Sequence, residues 1–198
     1  MYPESLKNLI DCLKNLPGVG DKTAERLAFT ILNFDKEKLT FFSNTLLNVR
    51  DNIQRCKICD NISDKEICTI CSNSDRNKEV VFVVEKPKDI VLFEKINVYK
   101  GIYHVLNGLI SPLDGINPED INLKRLIERI DEGEIKEVIL ALKPSIEGET
   151  TMQYIKRILE NKNVKITKIA TGIPIGTDIE YIDSLTLEMS LEERKEIS

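Results

Sequence analysis

Tryptophan is absent from this chain, histidine occurs once, and only 6% of its 198 residues are aromatic. A buried core must therefore come from Ile, Leu and Val rather than from large rings. No apolar run approaches the ~20 residues of a membrane-spanning helix, so no membrane partner is expected. The opening "MYPESLKNLI" has no basic stretch leading into an apolar one, so no signal peptide is expected and the location reads as cytoplasmic. The single histidine, His104, lies inside an apolar run and reads as a hydrogen-bonded structural residue. No Ser/His/Asp set can be assembled around it. Positive charge is also in short supply. The net charge is −5, which excludes a uniformly basic surface. Residues 1–79 hold 12 basic and 12 acidic side chains, and residues 80–198 hold 16 and 21. Any nucleic-acid contact is therefore local and belongs in the first part of the chain.

What is present describes an ordinary globular protein, with 41% hydrophobic and 31% charged residues. Leu6, Leu9, Ile10, Leu13 and Leu16 recur at helical spacing and predict an amphipathic helix over 4–16. Cys12, beside that stripe, reads as a buried or half-buried thiol without a partner. A second helix is expected over about 21–33, with Ala24, Leu27, Ala28 and Ile31 facing the first. At ~100° per residue, Lys22 and Arg26 lie on its opposite side. A third helix, about 35–52, is expected to complete a small helical domain.

The link between the first two helices is "LPGVGDK". Gly18 and Gly20 allow backbone conformations and close approaches closed to other residues, and Pro17 stiffens the entry. A helix N-terminus follows at once, with free N–H groups and partial positive charge, which suits a phosphate. Lys22 and Arg26 stand ready for neighbouring phosphates. The stretch resembles a helix-hairpin-helix motif, a DNA-binding element indifferent to sequence.

Cys56 and Cys59 form one C-x-x-C, Cys68 and Cys71 another, with eight residues between the pairs. Two such knuckles close a tetrahedron of thiolates, the geometry of a structural Zn²⁺. Four thiolates leave no open position for catalysis. A disulfide reading conflicts with a reducing compartment. The segment is too short and polar to bury a core, so metal binding must supply its folding free energy.

After Lys78 strands alternate with helices. Strands are expected at 79–85, 103–108, 137–142 and 164–170, and helices at 88–96, 118–130 and 149–161. This order implies an α/β fold with a mostly parallel sheet covered by helices. Glu85 ends the first of these strands, and Glu147 and Glu149 follow the third. Such an arrangement resembles the Toprim domain, in which clustered carboxylates bind Mg²⁺. The residues themselves leave open a helix-dipole role for Glu149 and a solvated loop role for Glu147.

The segments "LPGVGDKTAERLAF", "VVEKPKDI", "GIYHVLNGLISPLDGINPEDI", "EVILALKPSIEGETT" and "GIPIGTDIEY", with the four cysteines, resemble the RecR family of bacterial recombination mediators over nearly the whole chain. The resemblance implies a helix-hairpin-helix DNA-binding domain at 1–54, a zinc finger at 55–78, a Toprim domain at 79–170 and a Walker-B-like segment with a terminal helix at 171–198. It implies that Gly18, Gly20, Lys22 and Arg26 meet DNA, that the cysteines hold one Zn²⁺ per chain, and that Glu85, Glu147 and Glu149 serve a partner or Mg²⁺. Asp178 and Glu180 fall in the Walker-B-like segment and are read as making structural or subunit contacts. It further implies a ring-like homotetramer around DNA, partnership with RecO and RecF, a nucleoid-associated location and no catalytic activity of its own. The competing expectation is a Mg²⁺-dependent nuclease or topoisomerase built on the three acids.

Overall fold

Two runs of helix-spaced apolar residues, closed by glycine, set the first unit of the chain. The structure, a computed structural model, describes residues 2–170, 172–194 and 196. Met1, Thr171, Lys195, Ile197 and Ser198, four of them in the tail assigned to 171–198, lie outside the described residues. The chain divides into two compact units, 1–53 and 54–198.

In the first unit, α1 (Glu4–Lys14) packs on α2 (Asp21–Leu32) through Leu6, Ile10, Ala24 and Ala28, with Leu9, Leu13 and Val19 partly buried around them. Leu16, expected in this stripe, is instead 53% exposed. The helix ends at Lys14, and the turn carries Leu16 away from the packed face. Cys12 is likewise exposed rather than half-buried. It stands two residues after Ile10, about 200° around the helix, and so faces solvent. In α3 (Lys36–Asn52) the Asp35 carboxylate caps the helix by accepting from the Lys38 amide at 2.7 Å. No residue of α3 is buried, yet it falls in the same compact unit as α1 and α2 and so completes the small helical domain without adding to its buried core.

The second unit begins with a two-stranded antiparallel hairpin, β1 (Gln54–Arg55) and β2 (Ile62–Ser63), and a single helical turn, α4 (Thr69–Ser72). A parallel sheet follows. Its strands are β3 (Asn77–Val84), β4 (Gly101–Val105), β5 (Glu137–Ala141) and β6 (Lys165–Lys168), in the spatial order β4-β3-β5-β6. The connecting helices are α5 (Pro87–Ile96), α6 (Leu123–Asp131) and α7 (Ile146–Leu159), and α8 (Ser184–Glu192) lies near the end. The continuous apolar run of β3 is explained by cover on both faces. Val81 and Val83 pack with Leu126 of α6 and Ile155 and Leu159 of α7, whereas Phe82 and Val84 pack with Ile90 of α5 and Tyr103. The chain lays β4 on one side of β3, then returns to lay β5 on the other. The carboxyl ends of β3 and β5 therefore flank a topological switch point, where α/β sheets gather ligands.

The helix expected over 118–130 is broken. A short 3-10 turn covers Pro118–Asp120, and α6 starts only at Leu123. The cause is Asn122. Its amide N–H donates to the Leu106 carbonyl at 2.9 Å, its side chain donates to the Val105 carbonyl at 3.1 Å, and its own carbonyl accepts from His104 Nε2 at 2.7 Å. Binding the end of β4 holds Asn122 out of the helix. His104 is fully buried, with Nδ1 accepting from Arg129 at 3.3 Å. Burial, and then the Arg129 charge, push its pKa down to about 3. It is neutral and structural, as its place inside a strand implied.

Helix α7 starts three residues earlier than expected. Ser145 caps it, accepting from the Gly148 amide at 3.2 Å. A Cβ on Gly148 would stand 1.9 Å from the Lys143 carbonyl oxygen, so this turn admits no other side chain.

Gly148→Ala is expected to cost about 1–3 kcal/mol by forced overpacking, measured by urea unfolding. The unfolded chain takes up a proton at His104 near its ordinary value, and the folded chain does not until about pH 3. Stability that His104 leaves intact above pH 6.5 is therefore lost as pH falls toward 3, by about 1.4 kcal/mol per unit. Denaturation at pH 7.5, 5.5 and 4.5 should show this steeper fall in the native protein than in His104→Gln; equal slopes would show that His104 titrates normally.

Candidate nucleic-acid interface and metal centre

The corner between α1 and α2 is built as its glycines require. Gly18 has φ +80°, in the left-handed region, and the Val19 amide donates to the Leu16 carbonyl at 3.1 Å to close the turn. Gly20 is the N-cap of α2 and supplies no side-chain cap, which leaves the first N–H groups of the helix without one. The acid of this first turn, Asp21, is engaged by Lys14 at 2.6 Å, and that hydrogen bond holds its carboxyl below the usual range. Lys22 and Arg26 are exposed, and among the described residues neither makes a salt bridge or a side-chain hydrogen bond. They stand one turn apart on the face opposite Ala24 and Ala28. The arrangement offers two unengaged cations and a helix N-terminus to an extended polyanion.

The four cysteines come together. Their sulfurs all lie within 4.8 Å of one another, and Cys59 Sγ stands 3.6 Å from Cys68 Sγ. All are free of disulfides. Four thiolates around Zn²⁺ at Zn–S ~2.3 Å stand about 3.8 Å apart, so the donor set and its spacing fit a tetrahedral ion. The first knuckle turns through Asp60, with φ 64°, whose amide donates to the Cys56 carbonyl at 2.9 Å. The second is α4, with Cys68 at its N-cap and the Cys68 amide donating to Cys56 Sγ at 3.3 Å. The contact with Cys68, with burial, pushes the Cys59 thiol up, while hydrogen bonds to Cys59 and Cys71 draw Cys68 down.

Several residues that spacing alone did not reveal fix this centre on the sheet. The Val105 amide donates to the Cys59 carbonyl at 2.9 Å. Arg55 donates to the Asp60 carbonyl and to the Asn107 side chain, at 3.1 and 3.0 Å, and the Asn107 amide group donates to the Asp60 carboxylate. Arg125 reaches the Cys56 carbonyl at 3.4 Å and Asp60 at 3.3 Å. Asp60 and Asn107 both adopt positive φ, a conformation that a lone Asp or Asn in the sequence tolerates but does not announce.

The three acids lie at the two segments that flank the switch point, Glu85 just after β3 and Glu147 and Glu149 in the first turn of α7. Glu147 is thus a helical residue rather than a loop acid. Each is engaged: Glu85 by Lys86 at 2.8 Å, Glu147 by the Ser145 hydroxyl at 2.7 Å, and Glu149 by Gln153 at 2.8 Å. The Ser145 hydroxyl holds the Glu147 carboxyl below its ordinary value. Among the described residues the cysteines are the one group of three or more ligand side chains close enough for a metal ion, and the structure does not bring the three acids into such a group. Asp178 precedes a 3-10 turn (Ile179–Tyr181) that contains Glu180. Both side chains are exposed and, among the described residues, make no hydrogen bond or ion pair.

Comparison with protein families gives three matches in chain order. Residues 6–50, which span α1 to α3 almost entirely, match the helix-hairpin-helix model of RecR. Residues 79–170 match the Toprim domain model and contain the whole parallel sheet apart from the first two residues of β3. Residues 172–195 match the RecR C-terminal model. The four-cysteine centre falls between the first two matches. With RecR segments on both sides of a Toprim sheet and a metal-competent cysteine cluster joining them, this chain belongs to the RecR family.

Proposed function

We propose that this protein is a non-catalytic mediator of DNA recombination and repair that holds DNA without regard to sequence. Membership in the family supports a role in recombination and repair. The observation that carries the finer reading is the exposed, unengaged pair Lys22 and Arg26 one turn beyond the uncapped Gly20 corner. Phosphates meet there both backbone N–H groups and cations, and the corner offers nothing that reads a base edge.

The net charge of −5 favours an assembly in which such corners from several copies line an inner surface and the acids face out. The proposed form is a ring-like homotetramer enclosing DNA. It would work with RecO and RecF to load recombinase onto gapped DNA coated with single-strand-binding protein, in the cytoplasm at the nucleoid. The four cysteines hold one structural Zn²⁺ per chain. When bound, the ion supplies cross-linking of two knuckles and no open coordination position. Glu85, Glu147 and Glu149, at the switch point, serve as a docking surface for a protein partner; Mg²⁺ would require them to draw together, since they do not form a metal-sized group here.

The same location of the acids supports the second reading, a Mg²⁺-dependent nuclease or topoisomerase. Incubation with supercoiled and linear DNA in Mg²⁺ or Mn²⁺ separates the two. No cleavage or relaxation is expected; turnover abolished by Glu149→Gln would establish the enzyme instead.

Replacement of both Lys22 and Arg26 by Ala should weaken binding to all DNA sequences alike. It should flatten the dependence of log K on log salt by about 0.9 per lost contact, as read by gel retardation across ionic strengths. An unchanged slope would remove these residues from the interface. Metal analysis of the purified protein should find about one zinc per chain, and chelation should unfold the knuckle segment, since metal-site binding free energy is folding free energy there. Hydrogen exchange on residues 54–76 before and after chelation reads this directly.

A further inference from the structure

Arg129 is a buried charge with no carboxylate of its own. It is 8% exposed. Its guanidinium donates to the Tyr103 carbonyl at 2.8 Å and to His104 Nδ1 at 3.3 Å, and neither acceptor carries charge. His104 is committed as a neutral acceptor, because its Nε2–H is given to the Asn122 carbonyl. Among the described residues Arg129 forms no salt bridge. A guanidinium taken out of water without an anion is strongly disfavoured, so the fold must supply negative charge by some other means.

The cysteine cluster borders the same cavity as Arg129. Arg129 borders a cavity of about 450 Å³ that is also lined by Cys71, Arg125, Lys57 and Lys78. Cys71 is the least buried of the four cysteines. Burial pushes the Arg129 pKa down, and Cys71, Cys59 and Cys56 oppose that push, ahead of Glu132, an acid on the same cavity. Four thiolates around a divalent cation keep a net double negative charge. Arg125 stands one helical turn before Arg129 on α6, lines the same cavity and donates to the Cys56 carbonyl.

We propose that Arg129, assisted by Arg125, is the counter-charge of the four-thiolate metal centre and sets how tightly the metal is held. The proposal rests on the reading of the cysteines as a zinc site. It makes Arg129 a positioning and charge-balancing residue rather than a ligand. Arg125 has the smaller share, because Asp60 already answers part of its charge at 3.3 Å. The charge of the metal centre then has a role in the fold as well: it makes a buried cation tolerable under the end of β4.

The test measures zinc affinity of the full-length protein by competition with a chromophoric chelator, at one pH and one ionic strength. Arg129→Gln keeps hydrogen-bonding capacity without charge and is expected to lose about 10–100-fold in affinity, the range seen when outer partners of metal ligands are removed. Arg129→Lys keeps the charge and is expected to retain most of it. Arg125→Gln, at a half-exposed position, is expected to lose about two- to fivefold, and it keeps the question open to experiment if Arg129→Gln does not fold. A purely structural role predicts instead that Gln and Lys at 129 behave alike. Equal affinities in those two variants, or wild-type affinity in Arg125→Gln with Arg129→Gln unfolded, would overturn the assignment. Wild-type protein without zinc would overturn the metal reading first, and is recognised before any variant is made.

Discussion

Four sulfurs gathered within 4.8 Å are the constraint on which the second unit depends. The chain from Gln54 to Arg76 buries almost nothing apolar beyond the cysteines and the flanking Ile58 and Ile70. A segment of that size cannot outweigh its own conformational entropy by burial alone. Gathered around its four sulfurs, the segment sends Cys59 to the end of β4, Asp60 to Asn107 and Arg125, and Ile70 into the core under the sheet. Strand β4 and helix α6 are thus joined through residues that belong to neither.

A second dependence runs in the opposite direction. The knuckles gain a platform from β4, and β4 is fixed at its end by Asn122, His104 and Arg129 in sequence. Each of these is polar and buried or half-buried, and each has its hydrogen bonds answered, as a buried polar network must. No buried side-chain polar atom among the described residues lacks a partner. The network replaces one turn of helix that the residues 118–130 would otherwise form.

The elements of the sheet were legible in the sequence because burial on both faces produces unbroken runs such as Val80–Val84, which periodicity identifies readily. The cysteine cluster was equally legible, since thiolate spacing has few other uses. The hairpin corner could be read from Gly18 and Gly20, whose observed roles differ, one a left-handed turn and one a bare helix cap. What could not be read is long-range. Asn122 looks like any helical asparagine until the end of β4 is beside it. Leu16 fits the stripe of α1 by count, yet the helix stops at Lys14. Arg129 falls on the inner face of an amphipathic helix among leucines and isoleucines, and nothing nearby in sequence explains a charge there. Glu147 joined α7 because Ser145 caps it and Gly148 fits under Lys143, a local signal that was present but weaker than the strand before it.

The two outer strands of the parallel sheet end their ladders differently. On one margin the backbone of β4 is met by the first cysteine knuckle, through Val105 and Cys59. On the other, β6 is only four residues long and carries Lys165 and Lys168, each tethered to an acid, Glu137 and Glu193. Short length and lysine are what natural sheets use to refuse a further strand. Copies of this chain brought together at the β6 margin would therefore meet without zipping their sheets into one another.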